Sequence, residues 1–229
     1  MTEIPDITNL GLSDEELEID YDNMPEEGGG FDPICQPGTY DWQLPKGLLA
    51  HLQDEGVFKN QPGASGIPAS FQITLKDSFK LKNLTTGTSH RIMFSNRMRK
   101  LGEGTVSDIA LILRAVGVKP NGSNNSAYLK AFLEACAAEA MFTADAQLSC
   151  TCNEKNDIYT KEGRKDGVKG CGTRYDQDGY TVKNGKNAGT VVHPIPKEDG
   201  RIPDQFECGR CPALLRPWMN LRRFKAIEG

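Results

Sequence analysis

The sequence has no long apolar run, and this absence excludes a protein built on membrane-spanning helices. No stretch of the 229 residues approaches the roughly 18–20 consecutive apolar residues that such a helix needs. The first residues also lack the basic and apolar segments of a secretory signal peptide. We therefore expect a cytoplasmic protein that is not secreted and has no membrane partner.

Catalytic motifs are also missing, and histidine, the commonest general base, occurs only three times. The sequence has no nucleophile elbow, phosphate-binding loop, H-E-x-x-H motif or dinucleotide-binding fingerprint. The candidate core carboxylates show no informative spacing, and we interpret all of them as capping or surface residues: Asp108, Glu134, Glu139 and Asp145. We expect a non-enzymatic protein with no catalytic residues.

Basic residues are absent from the first part of the chain. Residues 1–32 contain eleven acidic residues and no Lys or Arg, which leaves 27 basic and 20 acidic residues, a net charge of +7, in residues 33–229. An acidic arm beside a basic body is typical of nucleic-acid-binding proteins and of interaction tails. Because the arm has few apolar residues to bury, we expect it to be disordered, either as a partner-binding tail or as a solvated leader.

The rest of the sequence predicts an α+β fold. Alternating apolar residues over Phe71–Lys76 and Thr143–Cys152, with the run Ser89–Phe94, predict short antiparallel strands. Between them, capping signals followed by apolar runs predict two helices at about 105–117 and 126–141. We expect a small β-barrel or an antiparallel sheet with two inserted helices. Cys136, on the apolar stripe of the second helix, is expected to be a buried free thiol.

Five of the seven cysteines lie in the last third of the chain, at spacings that suit a metal ion. Cys208 and Cys211 form a C-x-x-C pair, a turn that can direct two thiolates at one metal. Cys150 and Cys152 share one face of a predicted strand, and Cys171 is the fifth candidate. A structural zinc site takes four ligands. Two sets are open: the C-x-x-C pair with Cys152 and Cys171, or the C-x-x-C pair with Cys150 and Cys152.

The composition of the cysteine-rich region favours one structural Zn²⁺ over a redox role. Residues 153–179 are polar and Gly-rich and are predicted to be a loop insertion, so burial alone would not fold this region and a metal would supply the missing free energy. The proline-rich sequence after Cys211 is a poor helix start, unlike that of a thioredoxin motif. Unconnected thiols are the other alternative, and His193 is a distant substitute ligand.

Basic and aromatic residues are interleaved in two segments, 89–100 and 210–225. Such a pattern is typical of single-stranded nucleic-acid binding, in which cations contact phosphates and rings stack on bases. The alternative for the second segment is a helical stripe of Trp218, Leu221 and Phe224 that docks the C-terminus. The candidate phosphate contacts are Arg91, Arg97, Arg99, Lys100, Arg222 and Arg223, and the rings expected to stack or to pack are Tyr40, Trp42, Phe94 and Trp218.

These features give the chain a resemblance to phage-encoded single-stranded-DNA-binding and recombination-module proteins. It is carried by Pro37-Gly38-Thr39-Tyr40 at the start of a strand, the basic strand Arg91–Lys100 and the helical insert at 105–141. In such families the acidic tail is usually C-terminal, whereas here it is N-terminal. The resemblance covers about residues 35–150 and implies an OB-like β-barrel, with the cysteine-rich end similar to an appended zinc ribbon.

We accordingly expect a single-stranded DNA- or RNA-binding protein of phage-like replication or recombination, in the host cytoplasm if a phage encodes it. Its parts would be the disordered acidic arm at 1–32, a β-rich nucleic-acid-binding domain at 33–149 and a zinc-bound subdomain with a basic end at 150–229. The arm would contact replication, recombination or assembly proteins. Two alternatives are a viral structural or assembly protein and a zinc-ribbon adaptor between proteins of transcription or replication.

Overall fold

A computed structural model of the chain describes residues 34–63, 68–101, 104–183, 185 and 187–227. The predicted acidic arm at 1–32 lies outside the described residues. Their helices are a 3₁₀ helix at Leu48–His51 and the α-helices α1 (Asp108–Ala115) and α2 (Asn125–Ala137). The strands are β1 (Gly38–Gln43), β2 (Phe58–Gln61), β3 (Ser70–Leu75), β4 (Leu81–Asn83), β5 (Ser89–His90), β6 (Ile92–Ser95), β7 (Arg99–Leu101), β8 (Gly104–Val106), β9 (Met141–Thr151), β10 (Asp157–Thr160), β11 (Gly163–Lys169), β12 (Arg174–Asp176), β13 (Tyr180–Thr181), β14 (Val191–Pro194), β15 (Phe206–Glu207), β16 (Leu214–Leu215) and β17 (Trp218–Lys225).

Strand β9 is the centre of the main sheet because it pairs along both edges. One edge pairs with β1 and then, towards the C-terminal end of β9, with β12, while the other edge pairs with β17. The sheet continues from β1 through β4 to β5, and from β12 through β14 to β13. A separate sheet joins β2, β3 and β6. The mixed α+β prediction is confirmed, and the described strands form open sheets rather than a closed barrel.

The two helices begin where their caps place them. The Ser107 hydroxyl accepts a hydrogen bond of 3.1 Å from the Ala110 N–H, and the Asn124 side chain accepts one of 2.9 Å from the Ala127 N–H. The predicted bounds, 105–117 and 126–141, were too long. Residues 104–106 belong to β8, and the left-handed φ of 50° at Glu139 ends the helical path before β9. Neither helix is long enough to cross a membrane in the part of the chain described.

One face of β9 supplies two hydrophobic cores. Phe142, Ala144 and Ala146 pack into the core that contains the helices, as the strand's alternation predicts. Further along the same face, Leu148 and Cys150 belong to a second core around the cysteine-rich region. The boundary predicted between residues 149 and 150 thus falls inside β9, within the compact unit that spans residues 32–229.

The segment predicted to be a loop insertion at 153–179 contains regular structure, which corrects that prediction. Strands β10 and β11 pair as an antiparallel hairpin, and β12 joins the main sheet. The polar sequence hides this hairpin because every residue of β11 is exposed, so no apolar alternation marks it. Ion pairs of Asp157 with Arg164 and Lys169 link its two strands.

The C-terminal segment is a strand, which corrects the alternative of a helical stripe. The pairing of β17 with β9 is irregular between Arg222 and Lys225, and Arg223 has a left-handed φ of 54°. In a regular strand, residues three apart face opposite sides of the sheet. The bulge returns Phe224 to the side of Leu221, and both are buried. The apolar spacing of three therefore reflects a bulge and not a helical period.

Candidate metal centre and basic surface

Four cysteine sulfurs meet at the end of the second core. The Sγ atoms of Cys152, Cys171, Cys208 and Cys211 all lie within 4.8 Å of one another, and all four residues are free thiols. The Cys152 and Cys211 sulfurs are 3.4 Å apart, and those of Cys171 and Cys208 are 3.5 Å apart. A tetrahedral metal with bonds of about 2.3 Å to sulfur holds its ligands about 3.8 Å apart. The four thiols are therefore close to the spacing of a metal site.

Three chain segments present these four thiols. Cys208 and Cys211 lie in the loop of the β15–β16 hairpin, which the Cys208 N–H closes with a 2.8 Å bond to the Ala213 carbonyl. Cys152 directly follows β9, and Cys171 precedes β12. The Cys171 N–H donates to the Cys152 sulfur over 3.3 Å, so the backbone itself orients this second pair and stabilises a thiolate.

Gly170 permits the approach that brings Cys171 to Cys152. A Cβ added at Gly170 would lie 2.5 Å from the Asn153 carbonyl oxygen and 2.8 Å from the Cys152 carbonyl carbon, which no side chain can tolerate. Both neighbours are backbone atoms, so relief of the clash must move one of the two chain segments. Glycine at position 170 is therefore a condition for the cluster.

We expect Gly170→Ala to weaken metal binding and to lower the free energy of unfolding by about 1–3 kcal/mol, the usual cost of forced backbone shifts. Titration with a chromophoric chelator and urea unfolding would measure the two effects. Gly209→Ala is the matched control beside Cys208, because its Cβ would find only the Tyr175 hydroxyl, at 3.8 Å. Equal behaviour of the two variants would contradict the role of Gly170.

The electrostatics of the cluster favour a bound cation. Burial opposes ionisation at Cys171, yet hydrogen bonds from Thr173 and from the neighbouring thiols lower its pKa to about 6. By contrast, burial raises the pKa values of Cys152 and Cys211. Four thiolates within 4.8 Å would repel one another strongly without a positive charge between them. A divalent cation would remove that repulsion and make all four thiols ligands.

Other predicted ligands lie outside this four-sulfur cluster. Cys150 is buried in the second core, and this burial raises its thiol pKa to about 12. His193 lies on β14 with its ring 5.8 Å from that of Tyr175. Cys136 is buried in α2 as expected, and desolvation raises its pKa to about 12. Of the two ligand sets left open by the sequence, the structure brings together the one that contains Cys171.

Contacts from Thr173 and Tyr175 support the cluster and were missed by the sequence analysis. The Thr173 hydroxyl lies 3.0 Å from the Cys171 sulfur, and the Tyr175 hydroxyl lies 3.5 Å from the Cys208 sulfur. The Tyr175 hydroxyl also accepts a 3.0 Å bond from the Gly209 N–H. The proximity of Thr173 to Cys171 in the chain is the only sequence signal that could have indicated either contact.

Of the four rings expected to stack or to pack, only Trp218 presents a large exposed surface. It is 65% exposed, whereas Trp42 and Phe94 are buried in the main core. Trp42 and Phe94 therefore pack, which is one of the two roles expected of these rings, and neither has a face open to solvent on which a base could stack. Tyr40 is half-buried, and its hydroxyl donates to the Gln36 carbonyl over 3.1 Å.

The two predicted basic segments meet at the start of α1. Arg99 of β7 and Arg222 of β17 lie 3.2 and 3.8 Å, respectively, from the same carboxylate oxygen of Asp108. Two arginines share one acidic group here, so the local charge is positive. Arg91 and Arg97 are exposed, and the side chain of Lys100 lies outside the described residues.

Arg223 contacts the carboxylate of Asp145, which was expected from the sequence to be a capping or surface residue. Asp145 of β9 is buried, forms an ion pair with Arg223 and accepts a 2.7 Å bond from the Thr39 hydroxyl. These residues line a cavity of about 410 Å³ that also contains Asp41 and Lys225. The left-handed backbone of Arg223 directs its guanidinium to this site, so the bulge decides which arginine pairs with Asp145.

Comparison with protein-family models, curated proteins and solved structures finds no significant match. The function is therefore inferred from the residues of this chain alone.

Proposed function

We propose that the chain binds single-stranded DNA or RNA along β17 and the adjoining start of α1. The observation that supports this proposal is that Arg99 of β7 and Arg222 of β17 both contact Asp108 at the start of α1. The same strand β17 carries the exposed ring of Trp218. Cations that contact phosphates beside a ring that stacks on a base are what a single strand requires. A duplex offers the same phosphates but keeps its bases stacked inside.

The positions along β17 suit an extended strand. Trp218 and Arg222 are four residues apart, which corresponds to about 13 Å along a β-strand. Asn220 lies between them and donates a 2.9 Å bond to the Ser149 hydroxyl, so this part of β17 is fixed to β9. One base on Trp218 would therefore leave neighbouring phosphates within reach of Arg222 and Arg99.

We propose zinc as the ion of the four-cysteine site, in a closed structural role similar to that of a zinc ribbon. Four thiolates in a tetrahedral arrangement are typical of structural zinc sites and are also found around iron–sulfur centres. The ion would fix the end of β9 through Cys152, and β9 in turn pairs with the strand that carries Trp218. Zinc would thus support the binding strand without contacting the nucleic acid.

Intrinsic fluorescence tests the role of Trp218, because the chain has only two tryptophans and Trp42 is fully buried. We expect oligothymidine to quench the emission of Trp218 and duplex DNA to quench it much less. Trp218→Ala should abolish the quenching and weaken binding about five- to hundredfold, the contribution of one stacked base. Trp42→Phe is the control that keeps the reporter, and its quenching should match that of the parent chain.

A salt series tests the arginines. Log Kd depends linearly on log salt, with a slope of about 0.7 per phosphate contact for single strands, so Arg99→Ala/Arg222→Ala should reduce the slope by about 1.4. Lys46→Ala/Lys119→Ala removes the same charge from other exposed positions and should leave the slope nearly unchanged. Absence of binding at low salt would contradict the proposal and favour the assembly or adaptor alternatives.

A further inference from the structure

A second cavity, of about 590 Å³, lies where three segments of the chain meet, and it is large enough for a small ligand. The segments are the chain that enters β1, the turn between β4 and β5, and the turn that follows β14. Its polar lining includes the side chains of Gln36, Tyr40, Thr86, Thr88, His90, Lys197 and Arg201. No acidic side chain belongs to this lining among the described residues.

The charge of the lining favours an anion. The Nζ of Lys197 lies 3.9 Å from Asp178, but both side chains are at least half exposed, so this pair is weak. Glu198 and Asp199 belong to the same turn as Lys197 and Arg201, but neither lines the cavity. The cavity on the other side of β1 differs, because Asp41 and Asp145 balance its two cations. Of the two cavities, the one beside Arg201 therefore suits a phosphate better.

The backbone holds the turn at 197–201 against β1. Asp199 and Gly200 have φ values of 49° and 78°, and Glu198 and Arg201 exchange backbone hydrogen bonds of 2.8 and 2.9 Å, as in a two-residue hairpin turn. The Gln36 side chain then bonds both backbone groups of Ile202, at 2.9 and 3.0 Å. Arg201 is thus presented from a fixed turn, which lowers the entropy cost of ligand binding.

Hydroxyl groups line the opposite wall. The Thr86 hydroxyl lies 2.7 Å from the Thr88 hydroxyl, which lies 2.7 Å from Nε2 of the buried His90. Each hydroxyl has one proton, so this chain leaves at most one of the two hydroxyls free to donate to a phosphate oxygen, and it does so when Nε2 of His90 carries a proton. Tyr40 is T-shaped against Trp42, at 5.9 Å between ring centroids, and adds an aromatic surface for a sugar or base.

We infer that this cavity binds a nucleotide through its phosphate, with Lys197 and Arg201 as the cations and one hydroxyl of the Thr86–Thr88 pair as a donor. The site is separate from the β17 surface. Tyr40 pairs with Ala144 of the core face of β9, whereas Trp218 pairs with Ser149, whose side chain points to the other face. The nucleotide is either a free molecule or the phosphorylated end of a nucleic-acid strand. Both carry the terminal phosphate that the cavity would recognise.

Calorimetric titration of the whole zinc-loaded chain with dTMP and with thymidine tests the inference. We expect dTMP to bind at least about tenfold more tightly than thymidine. We expect Lys197→Ala/Arg201→Ala to lower the affinity for dTMP by about tenfold or more, the usual effect of losing hydrogen bonds to a charged group. Lys46→Ala/Lys119→Ala, which removes the same charge outside the cavity, should bind dTMP like the parent chain. Equal affinity for thymidine and dTMP, or an unchanged affinity in Lys197→Ala/Arg201→Ala, would overturn the inference.

Oligothymidines with a 5′-phosphate and with a 5′-hydroxyl distinguish the two sources. A preference for the phosphorylated strand that is lost in Lys197→Ala/Arg201→Ala identifies a strand end, and binding of dTMP without that preference identifies a free nucleotide. The Trp218 quenching assay separates this inference from the proposed function. If dTMP does not bind and the 5′-phosphate gives no preference, but oligothymidine still quenches Trp218, only the cavity site is overturned. If oligothymidine does not quench Trp218 but dTMP still binds, only the β17 surface is overturned.

Discussion

Cys152→Ser is expected to abolish metal binding and to unfold the second core. Few large apolar side chains hold this core together, among them Leu148, Ile158 and Phe206, so we expect its folding to depend on a metal ion at the four-cysteine cluster. Structural zinc contributes about 10–16 kcal/mol of apparent binding free energy in small zinc-dependent peptides, more than most single core contacts. Loss of one ligand also leaves three thiols close together without a cation to offset their charge.

Metal analysis and thermal unfolding would measure this effect. The parent chain, purified without chelator, should contain one equivalent of zinc, and excess chelator should lower its melting temperature. Cys152→Ser should contain almost none and melt at the lower temperature with or without chelator. Less than about half an equivalent in the parent chain would count against the site, which needs one ion for its four ligands.

Two other buried cysteines supply matched controls for the ligand assignment. Cys150 lies two residues from Cys152 on the same strand face, and Cys136 lies in the core that contains the helices. The controls are Cys150→Ala and Cys136→Ala. Both variants should keep one equivalent of zinc and lose only the stability that follows from a small cavity. If Cys150→Ala loses the metal as Cys152→Ser does, the ligand set that contains Cys150 is correct instead.

Trp42→Ala is expected to destabilise the main core by about 3–5 kcal/mol, the usual range for removal of a buried aromatic side chain. Trp42 is fully buried where β1 meets β9, and its indole N–H donates a 3.1 Å bond to the Ala144 carbonyl. Its ring also makes an edge contact with His90, at 6.0 Å between centroids. The loss is a large share of the roughly 5–15 kcal/mol by which domains are usually stable.

Urea unfolding of a matched pair would test this expectation. Trp218→Ala removes the same side chain from a site that is 65% exposed and should change the free energy of unfolding by less than about 1 kcal/mol. Circular dichroism should follow the unfolding, because Trp42→Ala also removes a fluorophore. Similar urea midpoints for Trp42→Ala and Trp218→Ala would show that the side chain of Trp42 does not stabilise the packing of β1 on β9.

Local signals in the sequence predicted the features that depend on neighbouring residues. The alternation of Thr143–Cys152 indicated the strand that forms the centre of the sheet, because a period of two places every second side chain on one face. Capping signals predicted helix starts at about 105 and 126, within three residues of the observed starts at Asp108 and Asn125, which the side chains of Ser107 and Asn124 cap. The C-x-x-C turn likewise indicated two ligands of one site.

Contacts between distant residues were beyond the reach of the sequence. Trp42 and Trp218 both lie in strands, and only the layers packed over Trp42 make one a core residue and the other a surface ring. The meeting of Arg99 and Arg222 at Asp108 depends on the placement of β17 against α1. The bulge at Arg223 depends on the register with β9, which no apolar pattern specifies.

The sequence by itself thus determined the α+β class, the central strand and a set of cysteines suited to one metal ion, because short-range periodicity and spacing encode each of them. The tertiary structure decided which four thiols meet, which ring is exposed, which arginines share a carboxylate and where the anion-suited cavity lies. Each of these depends on long-range strand pairing, which brings together side chains whose separation along the chain carries no signal of their contact.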